Sequence, residues 1–445
     1  MVAHRTRPGW TAGVGTPGLR VGLAAAAAAV AWIGWTLVDH LLHMPSGAAW
    51  IDAYVYQRAA DAFVSHPGQL YDGAHLQVSS AHAEPVFIYP PGGLLPFLPL
   101  VPLATRAGVA AAAGVWTAVD VTALGLALAV AGRRLGLSAG RLGCALLLLA
   151  LTGPVLMELD SGQMNGVEVL LLVLAWSRLP HASAGILLGV ALALKPVAVA
   201  FLLVLLLRRQ WRAVGATLAT AAAVTLPLAA AVGVDGMRYY LTQVGPFMLG
   251  HDTQDVANLS LSNIVDTFVG GRALSNHDAH VLGPVASAAL AVAVLVCIRL
   301  AVAAAVLTVA ARRRLDSTRE CALLLATIPL TAGTVWLHYY VYVLPLVLVA
   351  MAASSRVLRD AAWILTLPVL WNGLLVQWIY DPYERTDLGS RLLWAKSLLF
   401  PWLTLALVAA VSATALHGRA APPTGAQPAS GAAARRTPPE LATLA

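Results

Sequence analysis

Long apolar runs alternate with short polar or basic connections from Val21 to about Val411. A helix needs about 20 apolar residues to cross roughly 30 Å of hydrocarbon, and runs of that order recur along this stretch. They are rich in Leu, Val and Ala and lack the ten-residue alternation of a membrane barrel. The pattern therefore predicts an all-α, polytopic integral membrane protein of about ten to twelve membrane segments. No internal repeat is evident.

Basic clusters orient these segments, because short cytoplasmic loops are enriched in Lys and Arg. Residues 1–20 form a cytoplasmic segment, and the first span, about Val21 to Leu42, is retained rather than cleaved as a signal peptide. It leaves residues 43–87 outside. Pro96, Pro99 and Pro102 then predict a short, broken or interfacial segment. The chain crosses inward to Arg133, Arg134 and Arg141, returns outward over Cys144 to Met157 with Glu158 to Asn165 on the outer face, and crosses back over Val167 to Trp176. Between Ser183 and Leu207, the Lys195-Pro196 break predicts a re-entrant pair of half-helices. Val214 to Val232 exits to an outer loop over 233–283, and Val285 to Ala311 returns to Arg312, Arg313 and Arg314. Leu323 to Trp336 exits with His338 at its outer end; two crossings after Tyr342 and a last span from Leu392 to about Ala415 complete a domain over 21–415. Residues 416–445, rich in Pro, Ala, Gly and Ser, predict a disordered cytoplasmic tail.

Composition agrees: of 445 residues, 59% are hydrophobic and 11% charged, against about 25% charged in a soluble globule. The net charge of +7 resides in the loop clusters, so it sets topology and does not point to nucleic acid. Cys144, Cys297 and Cys321 are too scattered for a disulfide framework or a thiolate metal site.

Candidate chemistry gathers at the outer ends. Asp52 opens a stretch with Tyr54, Tyr56 and Arg58 in which Tyr56, Ala60 and Phe63 recur at helical spacing, predicting an amphipathic helix at the membrane surface. Asp52 is either the N-cap of that helix or a general base that accepts a proton from a substrate hydroxyl; the roles are compatible. The stretch from Tyr89 through Pro90, Pro91, Gly92 and Gly93 is a rigid turn or a pocket wall. Gln163 and Asn165 either satisfy helix ends or bind sugar hydroxyls. Lys195 lies some ten residues into an apolar run, at a cost of several kcal/mol unless it snorkels, pairs or faces a polar cavity; a phosphate is the functional alternative. His338 and Tyr339 stand in the same case, with Asn258 and Ser260 as further polar candidates and Glu158, Asp160, His251 and Asp252 as lesser ones.

In this order and spacing, Asp52-Ala-Tyr-Val-Tyr56, Leu70-Tyr71, Phe87-Ile-Tyr89-Pro90-Pro91, Ser161-Gly162-Gln163-Met-Asn165, Gly185 to Lys195-Pro196 and Asn258-Leu-Ser260-Leu resemble glycosyltransferase family 87 over about residues 20 to 415. Leu259 departs from the family's more common Asn-Gln-Ser pattern. The resemblance implies a GT-C-type membrane enzyme that takes a sugar from a polyprenyl-phosphate donor on the outer face of the cell membrane. Members include a mannosyltransferase acting on phosphatidylinositol mannosides and an actinobacterial arabinofuranosyltransferase. By this resemblance Asp52 is the catalytic acid of the first loop, His338 matches the outer-face histidine, and neither a nucleotide cofactor nor a metal is required; no dedicated carboxylate cluster calls for one.

The expected reaction is a single inverting displacement, with Asp52 as base and His338 or Lys195 on the donor phosphate. Tyr54, Tyr56, Arg58, Tyr89, Gln163, Asn165, Asn258, Ser260 and Tyr339 are expected to bind substrate. Mannose is the favoured sugar and arabinose the alternative, with a lipid or cell-envelope glycan as acceptor and membrane lipids around the protein. A lipid or solute transporter is the rival class, and it should show an inverted repeat with paired interrupted spans.

Overall fold

The computed structural model describes residues 17–43, 51–71, 87–245, 259–261, 288–312, 315–333, 335–365, 401, 404–410 and 412. Asn258, His251, Asp252, the crossings expected between residues 366 and 400, and the terminal segments 1–16 and 416–445 lie outside the described residues. Among these residues the chain is helical, with no strand.

Three helical runs, Pro17–Leu42, Val109–Arg134 and Trp211–Val244, are each long and apolar enough to cross a membrane. Their helices are α1 (Pro17–His43), α4 (Val109–Arg134) and α10 (Trp211–Tyr239), the last interrupted at Gly233. α4 is central and half buried, whereas α1 and α10 turn most of their surface outward. The outward crossing expected from Cys144 to Met157 is not one straight helix. α5 (Ala139–Ala150) and α6 (Gly153–Ser161) meet at 58°, because Pro154 opens α6 and cannot donate to the preceding turn. Glu158 also lies inside α6 and is fully buried, where an open outer loop was expected.

α7 (Asn165–Ser177) and α8 (Ala182–Leu194) follow, and the chain breaks as predicted at Lys195-Pro196 before α9 (Val199–Leu207). Small residues set the closest helix contacts, as they do where lipid removes the hydrophobic drive to associate. α1 rests on α5 at Gly22, Gly140 and Gly143, where a Cβ at Gly143 would lie 2.0 Å from the Gly22 carbonyl oxygen. α8 rests on α10 through Gly185 and Gly189, whose Cβ atoms would meet the carbonyls of Ala213 and Thr217 at 2.3 and 2.6 Å.

α2 (Ile51–Ser65) buries Ala53, Tyr56, Ala60 and Phe63, the face its periodicity predicts. That face joins Phe87, Tyr89, Phe97 and Trp116 in an aromatic cluster against α4. The proline-rich stretch forms 3-10 turns at Pro91–Leu94 and Leu98–Leu100 and then the short α3 (Val101–Ala107), rather than a spanning helix. Gly92 lets this turn touch the end of α8, since a Cβ there would lie 2.4 Å from the Ala193 carbonyl oxygen. Tyr89 is thereby set beside Lys195.

On the other side, α11 (Ala288–Ala311) packs on α12 (Ser317–Thr331). Asp316 caps α12 by accepting from the N–H groups of Thr318 and Arg319, each at 3.0 Å. A 3-10 segment, Leu337–Val343, leads into α13 (Leu344–Met351), followed by α14 (Arg356–Leu365). Arg208, past α9, forms a buried ion pair with Glu320 of α12 and donates to the Ala310 carbonyl, tying α9, α11 and α12 together.

Candidate active site

The site is built at the turn between α6 and α7. α6 ends on Gly162, whose left-handed φ of 65° reverses the chain within three residues. Met164 is buried beneath the turn, and the carbonyl of Gln163 accepts from Trp116 Nε1 at 3.0 Å. The first turn of α7 would leave free N–H groups, which two buried carboxylates satisfy. Glu158 Oε1 accepts from Asn165 N at 3.0 Å, and Asp120 of α4 accepts from Gly166 N at 3.2 Å and Val167 N at 2.8 Å. Glu158 Oε2 also accepts from Asn165 Nδ2 at 2.9 Å. Both amide side chains of the turn are thus held on a fixed backbone.

Gln163 reaches α2. Tyr56 donates its hydroxyl proton to Gln163 Oε1 at 2.7 Å, which turns the amide nitrogen toward Asp52, to which Gln163 also hydrogen-bonds. Asp52 is the second residue of α2, one step inside the helix rather than at its N-cap, so its carboxyl is not spent as the cap. Desolvation pushes that carboxyl up to about 6, against the lowering effects of the Gln163 hydrogen bond and the Lys195 charge, while the Asp160 charge adds to the rise. Asp160 itself is bound by His40 of α1 at 3.1 Å.

Asn165 reaches Lys195. The break at Pro196 leaves Lys195 extended and 1% exposed, so the side chain does not snorkel; it turns inward. Its Nζ donates to Asn165 Oδ1 at 2.8 Å and stands over the rings of Tyr339 at 4.3 Å and Tyr89 at 5.2 Å. Tyr89 in turn touches Tyr56, ring to ring at 5.5 Å. Tyr339 also carries His338 on its face, with ring centroids 5.1 Å apart. Ser161 gives its proton to the Met157 carbonyl, and its oxygen lies 3.5 Å from His338 Nδ1. That leaves His338 Nε2 buried with no partner among the described residues.

Asp52, Tyr56, Tyr89, Gln163, Asn165, Lys195, His338 and Tyr339 therefore form one connected set, drawn from five separate stretches of the sequence. Ser260 is buried beside it: its neighbour Leu259 donates to the Val335 carbonyl at 2.6 Å and accepts from Tyr340 at 3.2 Å. Arg58 is exposed on the opposite side of α2 from Tyr56, and Tyr54 is also turned off the Asp52–Tyr56 face, so the structure does not bring either into the set.

Sequence reasoning missed Asp120, Glu168 and Tyr342. An acid within an apolar helical run is itself the signal that finds the first two. It also missed that three buried carboxylates, Asp120, Glu158 and Glu168, gather around α7. Asp120 and Glu158 are engaged by N–H donors, and among the described residues no group of His, Cys, Asp or Glu is set to hold a metal ion.

A helical apolar chain that holds a carboxylate, two fixed amides and a buried cation beside an aromatic wall has the build of a membrane transferase for sugars. The chain belongs to Glycosyltransferase family 87, whose sequence model matches residues 87–337. It is 32% identical over 219 residues to the polyprenol-phosphate-mannose-dependent alpha-(1-2)-phosphatidylinositol pentamannoside mannosyltransferase of Mycolicibacterium smegmatis, covering 48% of this chain and 50% of that protein. It is 28% identical over 386 residues to the polyprenol-phosphate-mannose-dependent alpha-(1-2)-phosphatidylinositol mannoside mannosyltransferase of the same organism, covering 78% of each.

Proposed function

We propose that this protein transfers mannose from a polyprenyl-phosphate donor to a lipid or glycan acceptor on the extracytoplasmic face of the cell membrane. The observation that carries the reading is the convergence of Lys195 and the unpartnered Nε2 of His338 on the ring of Tyr339. Through Asn165 and Gln163, one turn of backbone links that pair to Asp52. The sugar choice follows the names of the two relatives. The outer face is supported by Arg133 and Arg134 at the end of α4 remote from Trp116 and Asp120, since basic loops face the cytoplasm.

In the proposed step the acceptor oxygen attacks the anomeric carbon as the bond to the donor phosphate breaks, inverting the configuration. Asp52, ionised at neutral pH with a value near 6, takes the hydroxyl proton. Lys195 and His338 hold the departing phosphate, whose charge needs no protonation to leave. Tyr56, Tyr89, Gln163 and Tyr339 line the sugar, and Asn165 orients Lys195.

The test is transfer of radiolabelled mannose from polyprenyl-phosphate mannose to membrane lipids by the purified protein and by Asp52→Asn. Wild-type transfer lost in the variant, with donor binding retained, is the expected result. Arabinose transfer from its own polyprenyl donor, without mannose transfer, would overturn the sugar assignment alone; movement of neither sugar would return a transporter to the front.

A further inference from the structure

Behind Lys195 lies a chain of oxygens that the proposed reaction does not use. Asn165 Oδ1 accepts from Lys195 Nζ at 2.8 Å and is 2.9 Å from the Tyr342 hydroxyl oxygen. The same hydroxyl hydrogen-bonds Glu168 Oε2, and Glu168 Oε1 is buried with no partner among the described residues. The amide orientation is settled by its partners: Nδ2 donates to Glu158 Oε2, and the Lys195 ammonium has no lone pair to accept with. Oδ1 therefore faces Tyr342.

Protons can now be counted. Two oxygen–oxygen contacts, Asn165 with Tyr342 and Tyr342 with Glu168, each need a proton between them. Asn165 Oδ1 carries none and Tyr342 carries one. If Tyr342 donated to Glu168, bare lone pairs would face each other at 2.9 Å on the Asn165 side. If Tyr342 donates to Asn165, the second proton belongs to Glu168. The partnerless Oε1 points the same way, because a buried ionised oxygen without a donor costs far more than the carbonyl oxygen of a neutral acid.

We propose that Glu168 is a neutral carboxylic acid whose O–H donates to Tyr342, which in turn donates to Asn165. It is a positioning residue that presents the Asn165 carbonyl to Lys195. The charged and titratable groups that face it are Lys195 from the break after α8, Asp120 from α4 and Tyr342 from the segment before α13. Asp120 is bound to backbone N–H groups and Glu158 to Asn165, so no carboxylate pairs directly with Lys195. With Glu168 uncharged as well, the ammonium keeps its charge for an anion. That last consequence rests on the reading of Lys195 as a phosphate ligand; the protonation does not.

Infrared spectroscopy of the purified wild-type protein tests it. A carboxylic C=O band that shifts in D2O, persists through neutral pH and disappears in Glu168→Gln is expected. Absence of any band lost in that variant overturns the proposal. If Glu168→Gln is not recovered folded, Tyr342→Phe keeps the carboxyl but removes its acceptor, so the band moves to higher frequency; an unmoved band overturns the proposal equally. In the transfer assay, Glu168→Ala raises the donor KM about tenfold, and Glu168→Gln, whose amide also donates to Tyr342, restores most of it. Equal losses in the two variants would mean that an ionised Glu168 is needed and would refute the neutral acid. Were no variant or wild type to transfer mannose, the functional reading would fail while the infrared result still decided Glu168.

Discussion

Gln163→Leu isolates the contact that sets the strength of the proposed base. The Gln163 amide is the main group holding the Asp52 value down against desolvation, and its direction is fixed by the Tyr56 hydroxyl at 2.7 Å. Hydrogen bonds to a charged group contribute about 1.5–3 kcal/mol, or about one to two pH units at 1.36 kcal/mol per unit. Removing the donor destabilises the ionised form, so the Asp52 value rises above about 6. The Asp52 side chain is partly exposed and water takes over part of the donor's role, so the lower end applies, about one unit. At about pH 6.5 the ionised fraction then falls from about three quarters to about one quarter, a loss of about threefold that vanishes well above neutral pH. Initial rates of mannose transfer at subsaturating donor, measured across the pH range, read this as an acid limb displaced toward alkaline pH. Tyr56→Phe, which frees the amide to turn, should displace it less and in the same direction. A limb that stays in place in both variants, or moves toward acid, would refute Asp52 as the titrating base.

Two stability predictions follow from neighbouring contacts. Gly166→Ala puts a Cβ 2.3 Å from the Asp120 carbonyl oxygen, forcing α4 from α7, and should cost about 1–3 kcal/mol or more, read as a lower melting temperature in detergent. Asp52→Asn should do the reverse at neutral pH. The folded value, about 6, lies above the ordinary 3.8, so protonation stabilises the folded protein below about pH 4 and that stability is lost as pH rises through about 6. The shift of about two units is worth up to about 3 kcal/mol before solvent screening at the partly exposed carboxyl, leaving about 1–3 kcal/mol by which the variant is more stable above pH 6. Equal melting temperatures at pH 5 and pH 8 in both proteins would contradict it.

Helical class, the break at Lys195-Pro196 and the buried face of α2 were legible in the sequence because each follows from local chemistry: apolar run length, a missing proline N–H and a repeat near 3.6 residues. Spacing also singled out Asp52, Gln163, Asn165, Lys195 and His338, which the structure brings together. Arg58 lies on the exposed face of α2, which residue type alone did not say, since a stretch rich in functional residues does not give the helical face of each. Asp52 as an N-cap failed by two residues, within the margin at which helix ends can be read from sequence. Pro154 marks the bend of α5 against α6 locally, but the burial of Glu158 depends on contacts of α6 with α4 and the Leu337–Val343 segment, which no local pattern encodes.

The buried acids give the site a logic that its individual residues do not. A helix N-terminus is a natural anion site, and α7 begins at the centre of this cluster. The chain fills that position with its own carboxylates, Glu158 and Asp120, which engage the N–H groups of Asn165, Gly166 and Val167. An arriving phosphate therefore cannot settle on α7. The remaining cationic pole is Lys195, whose neighbours on that side are an amide oxygen and two aromatic faces. In the proposed reaction this leaves the Lys195 and His338 side of the Gln163–Asn165 turn for the donor phosphate. Asp52 meets the same turn through Gln163, so in the proposed displacement the base and the phosphate ligands are positioned by neighbouring amides of one stretch of backbone.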